Sequence, residues 1–460
     1  MFVTCPTNFF SVFHKLMYTH FLNKVLLPLG SIFFSGNYSR YLNVWESYDK
    51  MSEEDLHKLQ QERLQKMLNY AKTHVPYYAE LNIPENTRLS HFPVLTKEIL
   101  RNESKNLISK KMKLEKLDKN FSSGSSGIQS FTYMTKEHKA YLRALQTHWW
   151  KWGGFTPGEP LLQLGISPQR TFVKKLKDVF FRVHYLNAFS LTEKSMKSAL
   201  KTVSKKSPKH IAGYPSAIYE LAKYAEKEGL HTSFKSLISF GDKLFSHYHP
   251  HFNEAFDTPK VINTYGCAEG ILAACQNDLP YYYIMAPHVF IEIVNDKNEK
   301  LQAGEHGHIL ITCLTNFAMP LIRYKLGDMG TLLPKSEYPE HRRYNYPLLK
   351  ELTGRETDIL KTPNGRVLTV HSFTGIFEFY PEIYQYAIVQ TQANVLTIQY
   401  ITDSANATNL KCLPEIENKI NSLTNHSMEL HFQKVSSIEN SPSGKPQIIR
   451  SLVKRSSDAI

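Results

Sequence analysis

The feature that most constrains the fold is the alternation of helix-period segments with short β-type runs along the 460-residue chain. Apolar residues recur at helical spacing within residues 52–73, where Ser52 is a candidate N-cap and acidic residues fill the first turn. Two more helices are predicted at residues 136–150 and 216–229. Strands are predicted at 160–165, 289–294, 308–314 and 367–370. This alternation predicts an α/β chain.

The character of the sequence changes after Gly354. Several β-type runs, a hairpin signal at Asn364-Gly365 and one helix at residues 413–423 fill the last hundred or so residues. The pattern predicts a large N-terminal α/β domain over residues 1–355. A small C-terminal α+β domain follows over residues 356–460.

The N-terminal segment, residues 1–35, is rich in apolar residues that fall on one helical face. Its apolar run, residues 25–34, is too short to span a bilayer, and Pro28 and Gly30 interrupt it. No small-residue cleavage site of a secretory signal follows. An interfacial membrane helix and a helix packed on its own domain both remain open. We expect a cytoplasmic protein, with peripheral contact at the inner face of the membrane as an option.

The formal net charge of +13 admits nucleic acid, an anionic membrane or anionic small substrates as partners. The basic residues are spread along the chain, and no nucleic-acid-binding signature is present, so we expect no nucleic-acid partner. Five cysteines without a CxxC pair indicate a reducing compartment. Cys267, Cys275 and His288 have two interpretations: they form a metal site, or the cysteines are simply buried apolar residues.

The densest local signal is a loop of serines and glycines. Four serines and two glycines in six residues favour neither helix nor strand, and such a loop can direct backbone N–H groups and hydroxyls at an anion. No Lys-Ser or Lys-Thr pair follows, so the loop is not a Walker A motif. By itself it is as compatible with a surface linker. Its residues are Ser122, Ser123, Gly124, Ser125, Ser126 and Gly127.

A second signal is the segment from Tyr265 through Gly266 and Ala268 to Glu269 and Gly270. The glycines permit close backbone approach, and Glu269 is an acid in an apolar neighbourhood. A buried carboxylate is costly unless it is paired or binds a metal, and Mg²⁺ with a phosphate is one solution. A capped turn is the alternative reading.

Three further charged positions are modest signals individually. Asp328, at a strand-to-turn boundary, can accept two ribose hydroxyls or simply stabilise a turn. Arg355 can make a bidentate contact with a phosphate. Lys445, in a Ser-Gly-Lys-Pro turn, is by itself an ordinary surface charge.

The order of these motifs resembles that of the adenylate-forming superfamily. More narrowly, the chain is similar to the branch of phenylacetate–CoA ligase and the capsular-polysaccharide protein CapK. Residues 60–78, 213–216, 314–328 and 349–366 carry the narrower resemblance, which extends over roughly residues 40–450. The sequence departs from many members of the superfamily at Ile128-Gln129, where those members carry a lysine after the Gly-rich loop.

The resemblance implies roles for these residues. The loop from Ser122 to Gly127 would hold the leaving phosphates, and Glu269 would bind Mg²⁺. Lys445 would bridge the substrate carboxylate and the α-phosphate, and a hinge within residues 356–358 would move the C-terminal domain between two half-reactions. Nucleotide contacts would come from Gly241, Asp242, Tyr265, Gly266, Asp328 and Arg355, and acid contacts from Tyr214, Pro215 and Ala268.

The implied activity is ATP-dependent formation of an acyl-AMP, followed by acyl transfer to coenzyme A. The expected cofactors are ATP, Mg²⁺ and coenzyme A, and the partner is a small carboxylic acid. One alternative is a CapK-like enzyme that passes the acyl group to an amine, a sugar amine or a carrier-protein thiol in polysaccharide or secondary-metabolite biosynthesis. The other is a non-catalytic, membrane-peripheral scaffold.

Overall fold

The computed structural model describes residues 18–19, 21–22, 37–121, 131–165, 171–188, 191–206, 210–257, 259–353, 359–377, 379–380, 382–402, 410, 412–438 and 448–453. Helices are α1 (Tyr38–Tyr48), α2 (Glu53–His74), α3 (Pro76–Ala79), α4 (Lys97–Asn102), α5 (Lys136–Trp152), α6 (Phe172–Phe180), α7 (Glu193–Lys206), α8 (Pro215–Lys227), α9 (Tyr248–Phe256), α10 (Val370–Phe377) and α11 (Leu413–Leu423).

Strands alternate with these helices in the first half of the chain and dominate the second. They are β1 (Asp118–Phe121), β2 (Phe131–Met134), β3 (Leu161–Gly165), β4 (Val183–Asn187), β5 (His210–Gly213), β6 (Ser236–Ser239), β7 (Lys260–Cys267), β8 (Ile271–Gln276), β9 (Tyr282–Ile284), β10 (Val289–Val294), β11 (His306–Cys313), β12 (Tyr324–Leu332), β13 (Leu348–Thr353), β14 (Ile359–Lys361), β15 (Val367–Thr369), β16 (Ile383–Gln392), β17 (Val395–Thr402), β18 (Glu429–Lys434) and β19 (Ile449–Ser451).

The predicted helices are confirmed, with boundaries close to those expected. The Ser52 hydroxyl accepts a hydrogen bond from the Asp55 backbone N–H and caps α2, whose first turn is acidic. Helix α8 begins with Pro215 at its first position, where the missing N–H costs nothing. Helix α11 occupies the predicted range.

The chain divides into two compact units. Unit 1 comprises residues 1–51, 136–265 and 275–278, and unit 2 comprises residues 52–135, 266–274 and 279–460. Unit 1 contains a parallel sheet in the order β4-β3-β5-β6-β7. Strands β3, β5 and β6 are almost fully buried, as is typical of a parallel sheet with helices on its faces.

Unit 2 is built mainly on antiparallel pairs. Its larger sheet has the order β10-β11-β12-β13-β9-β8, and β1 pairs with β2 in a separate hairpin. Strand β10 alternates little and is nearly all buried, which explains its continuous apolar sequence.

The last part of the chain is a smaller α+β arrangement. A four-stranded sheet in the order β18-β17-β16-β19 accompanies α10 and α11, and β14 and β15 form the hairpin predicted at Asn364-Gly365. The predicted strand at 367–370 ends at Thr369, and α10 begins at Val370. The sequence pattern missed α10 because its β-branched and aromatic residues favour strands locally. Phe373 and Phe377 are fully buried, so packing outweighs that preference.

None of the helices in the described ranges combines the length and apolar content needed to span a bilayer. The apolar run predicted at 25–34 lies outside these ranges, as do residues 354–358, where the domain boundary was predicted.

Candidate active site

Two loops and a residue near the end of a third strand lie at the same edge of the parallel sheet of unit 1. Strand β5 leads into Tyr214 and Pro215, β6 leads towards Gly241 and Asp242, and the last residue of β7 within unit 1 is Tyr265. The carboxyl edge of a parallel sheet is where α/β proteins bind ligands. Five of the predicted nucleotide- and acid-binding residues therefore lie on the expected edge.

Gly241 is in close contact with Tyr214. Its φ is +92°, and a Cβ atom built there would lie 2.3 Å from Tyr214 Cε1. The Tyr214 ring also packs edge-on against Phe240, with 5.8 Å between ring centroids. Only glycine satisfies both requirements, so the ring of Tyr214 is held against the backbone of the β6 loop.

Asp242 is oriented by the first turn of α8. The Ser216 hydroxyl donates a hydrogen bond to Asp242 Oδ2. Nearby, burial and then the Asp242 charge raise the pKa of the Tyr248 hydroxyl. Asp242 thus joins the β6 loop to α8 and is a negative group in a partly apolar setting.

The predicted acid, Glu269, lies in the turn between β7 and β8, within unit 2. Gly266 permits the two strands to approach, because a Cβ there would lie 2.5 Å from the Ile271 carbonyl oxygen. Gly270 has a φ of +90° and its N–H donates to the Cys267 carbonyl oxygen at 3.2 Å, which closes the turn. Ala268 is exposed, whereas Glu269 is only 4% exposed.

One oxygen of the buried Glu269 carboxylate has a defined partner. The Tyr324 hydroxyl donates to Glu269 Oε1 at 2.7 Å, and Tyr324 is itself fully buried. Burial first, and then the Glu269 charge, raise the pKa of the Cys267 thiol well above its usual value. The Glu269 carboxylate is therefore fixed in orientation by a neutral donor.

The Ser-Gly loop begins and ends on the β1–β2 hairpin of unit 2. Residues 122–130 connect the paired positions Phe121 and Phe131, and they lie outside the described residues. The Thr132 hydroxyl, one residue further on, donates to the backbone carbonyl oxygen of Glu269 at 3.2 Å. The described base of the loop is thereby attached to the turn that carries Glu269.

The donor set around Glu269 fits a Mg²⁺ ion. Carboxylate oxygens are the ligands Mg²⁺ prefers, and this ion typically takes one or two carboxylates together with substrate phosphates and water. The Tyr324 hydroxyl and the Cys267 thiol both hydrogen-bond to the Glu269 carboxylate. An ionised carboxylate has about four lone-pair positions, so these two contacts orient it and still leave positions for a metal ion. A hydrogen-bonded second partner of this kind is typical of carboxylates that ligate metals.

Asp328 lies in a bulge of β12. His308 pairs with Met329 and Leu310 with Lys325, so that residues 326–328 on β12 oppose one residue of β11. Gly327 has a φ of +97° and permits the distortion. Bulges are common beside functional sites, where they redirect a side chain out of the ladder. The predicted strand-to-turn position of Asp328 is in fact this irregularity within a strand.

Arg323 has a structural role, since its guanidinium contacts other parts of the chain that no sequence motif indicated. Its guanidinium donates to Glu292 Oε2 at 3.2 Å and to the carbonyl oxygens of Phe92 and Asn298. Burial raises the pKa of Glu292, and Arg323 opposes that shift. Arg323 also has a positive φ of +51°, a backbone conformation that the sequence pattern did not predict.

A buried lysine, Lys97, was also missed by the sequence motifs. It begins α4, and the preceding segment is paired with β12 through a bridge between Leu95 and Tyr324. Its ammonium charge lowers the pKa of the Cys267 thiol, against the larger effect of burial. Lys97 thus places a cation in the electrostatic environment of the turn that holds Glu269.

Several predicted site residues lie outside the described ranges: Ser122, Ser123, Gly124, Ser125, Ser126, Gly127, Arg355 and Lys445. In the part of the chain that is described, no group of three or more His, Cys, Asp or Glu residues is arranged to hold a metal. His288, part of the metal option considered above, accepts from the Leu272 N–H and bonds to Thr315 Oγ1 at 2.7 Å. Cys275 is fully buried.

The sequence and the fold are similar to those of known proteins. The family model described as AMP-binding enzyme matches residues 181–317. Protein CapK of Staphylococcus aureus is 25% identical over 94% of this chain and 97% of its own. Phenylacetate–coenzyme A ligase of Escherichia coli strain K12 is 33% identical over 22% of this chain and 23% of its own. The crystal structure of 2-hydroxyisobutyryl-CoA ligase, bound to its acyl-AMP and CoA, has the same fold. Its TM-score is 0.59 at 17% identity, over 88% of this chain and 92% of that one.

These matches make the chain similar to the AMP-binding, adenylate-forming enzymes. Among these enzymes, the similarity is to the branch that contains phenylacetate–CoA ligase and CapK.

Proposed function

We propose that the protein activates a carboxylic acid as its acyl-AMP and then transfers the acyl group to coenzyme A. The observation that carries the proposal is the buried turn at Glu269, which Tyr324 orients and Thr132 attaches to the base of the Ser-Gly loop. Adenylation needs a fixed acid that can hold Mg²⁺ and groups that hold the phosphates of ATP.

In the adenylation step the substrate carboxylate attacks the α-phosphorus of ATP, and pyrophosphate leaves. Negative charge accumulates on the phosphate oxygens, so N–H groups and cations placed in advance stabilise the transition state. We assign the loop from Ser122 to Gly127 to the leaving phosphates. Glu269 would hold Mg²⁺, which neutralises charge on the phosphates when bound.

Lys97 supports this assignment. Members of the superfamily often carry a lysine after the Gly-rich loop, and Ile128 and Gln129 stand there in this chain. The buried Lys97 ammonium acts on the same turn as Glu269, through its effect on Cys267. We therefore assign to Lys97 the positive charge that the loop lacks.

Tyr265 and Gly266 are assigned to the adenine and phosphate side of ATP. Asp328, redirected by its bulge, is assigned to the ribose hydroxyls, and Arg355 to the ribose or a phosphate. Gly241 and Asp242, on the loop after β6, are assigned to adenine. These residues would bind and position ATP, and none of them would form or break a covalent bond in the reaction.

The acid would lie against Tyr214, Pro215 and Ala268. The Tyr214 ring packs against Phe240 and lies close to Gly241, and an aromatic face in this position favours a flat or apolar acid. A pocket with a preset wall loses little side-chain entropy on binding.

The second half-reaction is assigned to movement of a C-terminal domain that begins at residue 356. In one position Lys445 would bridge the substrate carboxylate and the α-phosphate. In the other, after rotation about residues 356–358, the domain would admit the thiol of coenzyme A. The net charge of +13 would attract both anionic cosubstrates, ATP and coenzyme A.

Pyrophosphate release tests the proposal. Purified protein is supplied with ATP, Mg²⁺ and a panel of aryl, fatty and amino acids, with and without coenzyme A. We expect release with one acid class, and strong stimulation by coenzyme A. Release that amines or carrier proteins stimulate, and coenzyme A does not, would identify a different acceptor. Silence across the panel, with no thermal stabilisation by ATP, would favour the scaffold alternative.

A paired variant ties the activity to the site. Glu269→Gln should abolish release, because the amide cannot supply a carboxylate ligand. Glu299→Gln, at an exposed position in the same unit, should retain it. Equal activity of the two variants would contradict the role assigned to Glu269.

A further inference from the structure

Helix α6 exposes its apolar residues to solvent. The side chains of Phe172, Leu176, Val179 and Phe180 are 81, 61, 77 and 41% exposed. Their spacing of four, three and one residues puts them on one helical face. A surface helix ordinarily buries this face against its own domain. An apolar face that is left in water indicates a docking surface.

The same helix is basic. Lys174, Lys175 and Lys177 are exposed, and Asp178 is its one acidic residue. Helical spacing places Lys175 and Lys177 on either side of the apolar face. Exposed apolar side chains flanked by lysines are typical of helices that lie in the interface of an anionic membrane.

A second segment of unit 1 lies beside this face. The Tyr18 hydroxyl donates to the Phe180 carbonyl oxygen at 2.6 Å, and the two rings meet edge-on with 6.4 Å between centroids. Phe21, three residues further on, is 50% exposed, whereas Leu22 is fully buried. The neighbouring segment is thus anchored on one side and adds an exposed aromatic on the other.

The shape and charge of this surface favour a bilayer over a protein partner. The apolar side chains project from a helix, so a protein would have to offer a concave apolar groove with an acidic rim. A bilayer of anionic phospholipid accepts apolar side chains between its acyl chains and offers phosphates to the flanking lysines at any position.

We propose that α6, together with Phe21, docks the protein onto a membrane surface that contains anionic phospholipid. The aromatic and aliphatic side chains enter the boundary between headgroups and acyl chains. The lysines remain at the level of the phosphates. The inference is independent of the acid and of the acceptor.

Vesicle co-sedimentation tests the proposal on the full-length protein. The probes are vesicles of phosphatidylcholine alone and of phosphatidylcholine with an equal amount of phosphatidylglycerol. We expect binding to the mixed vesicles that weakens as salt rises, and little binding to phosphatidylcholine. Absence of binding, or equal binding to both vesicles, would overturn the proposal.

Charge reversal locates the surface. Lys174→Glu, Lys175→Glu and Lys177→Glu together should weaken binding to the mixed vesicles by on the order of 100-fold. The matched control reverses three exposed lysines of unit 2, Lys105, Lys113 and Lys116, with the same change in net charge. An equal loss in both variants would mean that overall charge, and not α6, drives binding.

The apolar contribution is tested in the same way. Leu176→Ser with Val179→Ser should reduce binding at least tenfold, whereas Leu114→Ser with Leu452→Ser, at exposed positions of unit 2, should leave it unchanged. All variants should keep pyrophosphate release, which shows that they fold. If the α6 variant instead abolished self-association and left vesicle binding intact, the surface would be an interface between two copies and the proposal would fail.

Discussion

The Glu269 carboxylate is held in a buried position by a neutral partner. A cationic partner would neutralise the charge that a magnesium ion is meant to meet, whereas the Tyr324 hydroxyl fixes one oxygen and leaves the charge in place. The sequence indicated an acid that needs compensation, because burying a carboxylate is costly. It did not indicate Tyr324, which lies 55 positions further along the chain.

Tyr324→Phe should therefore weaken magnesium dependence without removing the ligand. We expect the Mg²⁺ concentration for half-maximal pyrophosphate release to rise about 10- to 100-fold, as for other residues that orient a metal ligand. Thermal stabilisation by Mg²⁺ with ATP should decline in parallel. The control is Tyr78→Phe, a buried tyrosine of unit 2 whose hydroxyl donates to the Pro320 carbonyl oxygen. A similar rise in the control would refute the orienting role of Tyr324.

His138 makes stability depend on pH. Burial in α5 lowers its pKa from about 6.5 to about 4, so the unfolded chain takes up a proton at a higher pH than the folded one. The stabilisation is complete above pH of about 6.5 and is lost as the pH falls towards 4, with a slope of about 1.4 kcal/mol per pH unit.

Urea unfolding across that range should isolate this contribution. His138→Gln should reduce the loss of unfolding free energy between neutral pH and the pKa of the folded state by about 3 kcal/mol. His57→Gln, at an exposed position, should keep the wild-type slope. Identical slopes in wild type and His138→Gln would mean that burial does not lower the pKa of His138.

At the scale of elements, the close contact between the β6 loop and α8 depends on Gly241. Gly241→Ala must move the Tyr214 ring and also adopt a φ that costs a side chain about 1–3 kcal/mol. Gly154→Ala is the matched control, with a φ of +85° and no atom within 4 Å of the added Cβ. We expect similar backbone costs in thermal unfolding. Only Gly241→Ala should raise the KM for the acid, and an unchanged KM would remove Tyr214 from the acid pocket.

The bulge of β12 gives a second prediction at this scale. If the bulge directs Asp328 to the ribose, Asp328→Ala should raise the KM for ATP steeply and leave the KM for the acid unchanged. The comparison of the two constants within one variant is its own control. An unchanged KM for ATP would make Asp328 a structural residue of the bulge.

The elements themselves were largely predictable. Periodicity and caps predicted α2, α5, α8 and α11 with small boundary errors, because each has a regular apolar face and a start signal. Helix α10 was missed because local preference and tertiary packing disagree there. The bulge at Asp328 was read as a strand end, since strand register depends on a partner that is remote in sequence.

At the scale of the whole molecule, the order of the motifs along the chain indicated the resemblance to a superfamily. The sequence did not indicate how the motifs divide between the two compact units. The chain passes between the two units at residues 51–52, 135–136, 265–266, 274–275 and 278–279, so residues close in sequence belong to different units. Tyr265 and Gly266 are an example. Lys97 was overlooked for a different reason: the bridge that positions its segment, between Leu95 and Tyr324, joins parts of the chain that are far apart in sequence.

The assignment of Lys445 belongs to this scale, because it requires the C-terminal domain to serve the two half-reactions in turn. Lys445→Ala should lower ATP–pyrophosphate exchange by about 10²- to 10³-fold, since the variant loses a charge that the adenylation transition state needs. The same variant should still convert preformed acyl-adenylate and coenzyme A into thioester at nearly the wild-type rate. Lys350→Ala, at an exposed position, is the control for general loss of a lysine. An equal loss of both half-reactions in Lys445→Ala would mean that the role of Lys445 is not specific to the adenylation step.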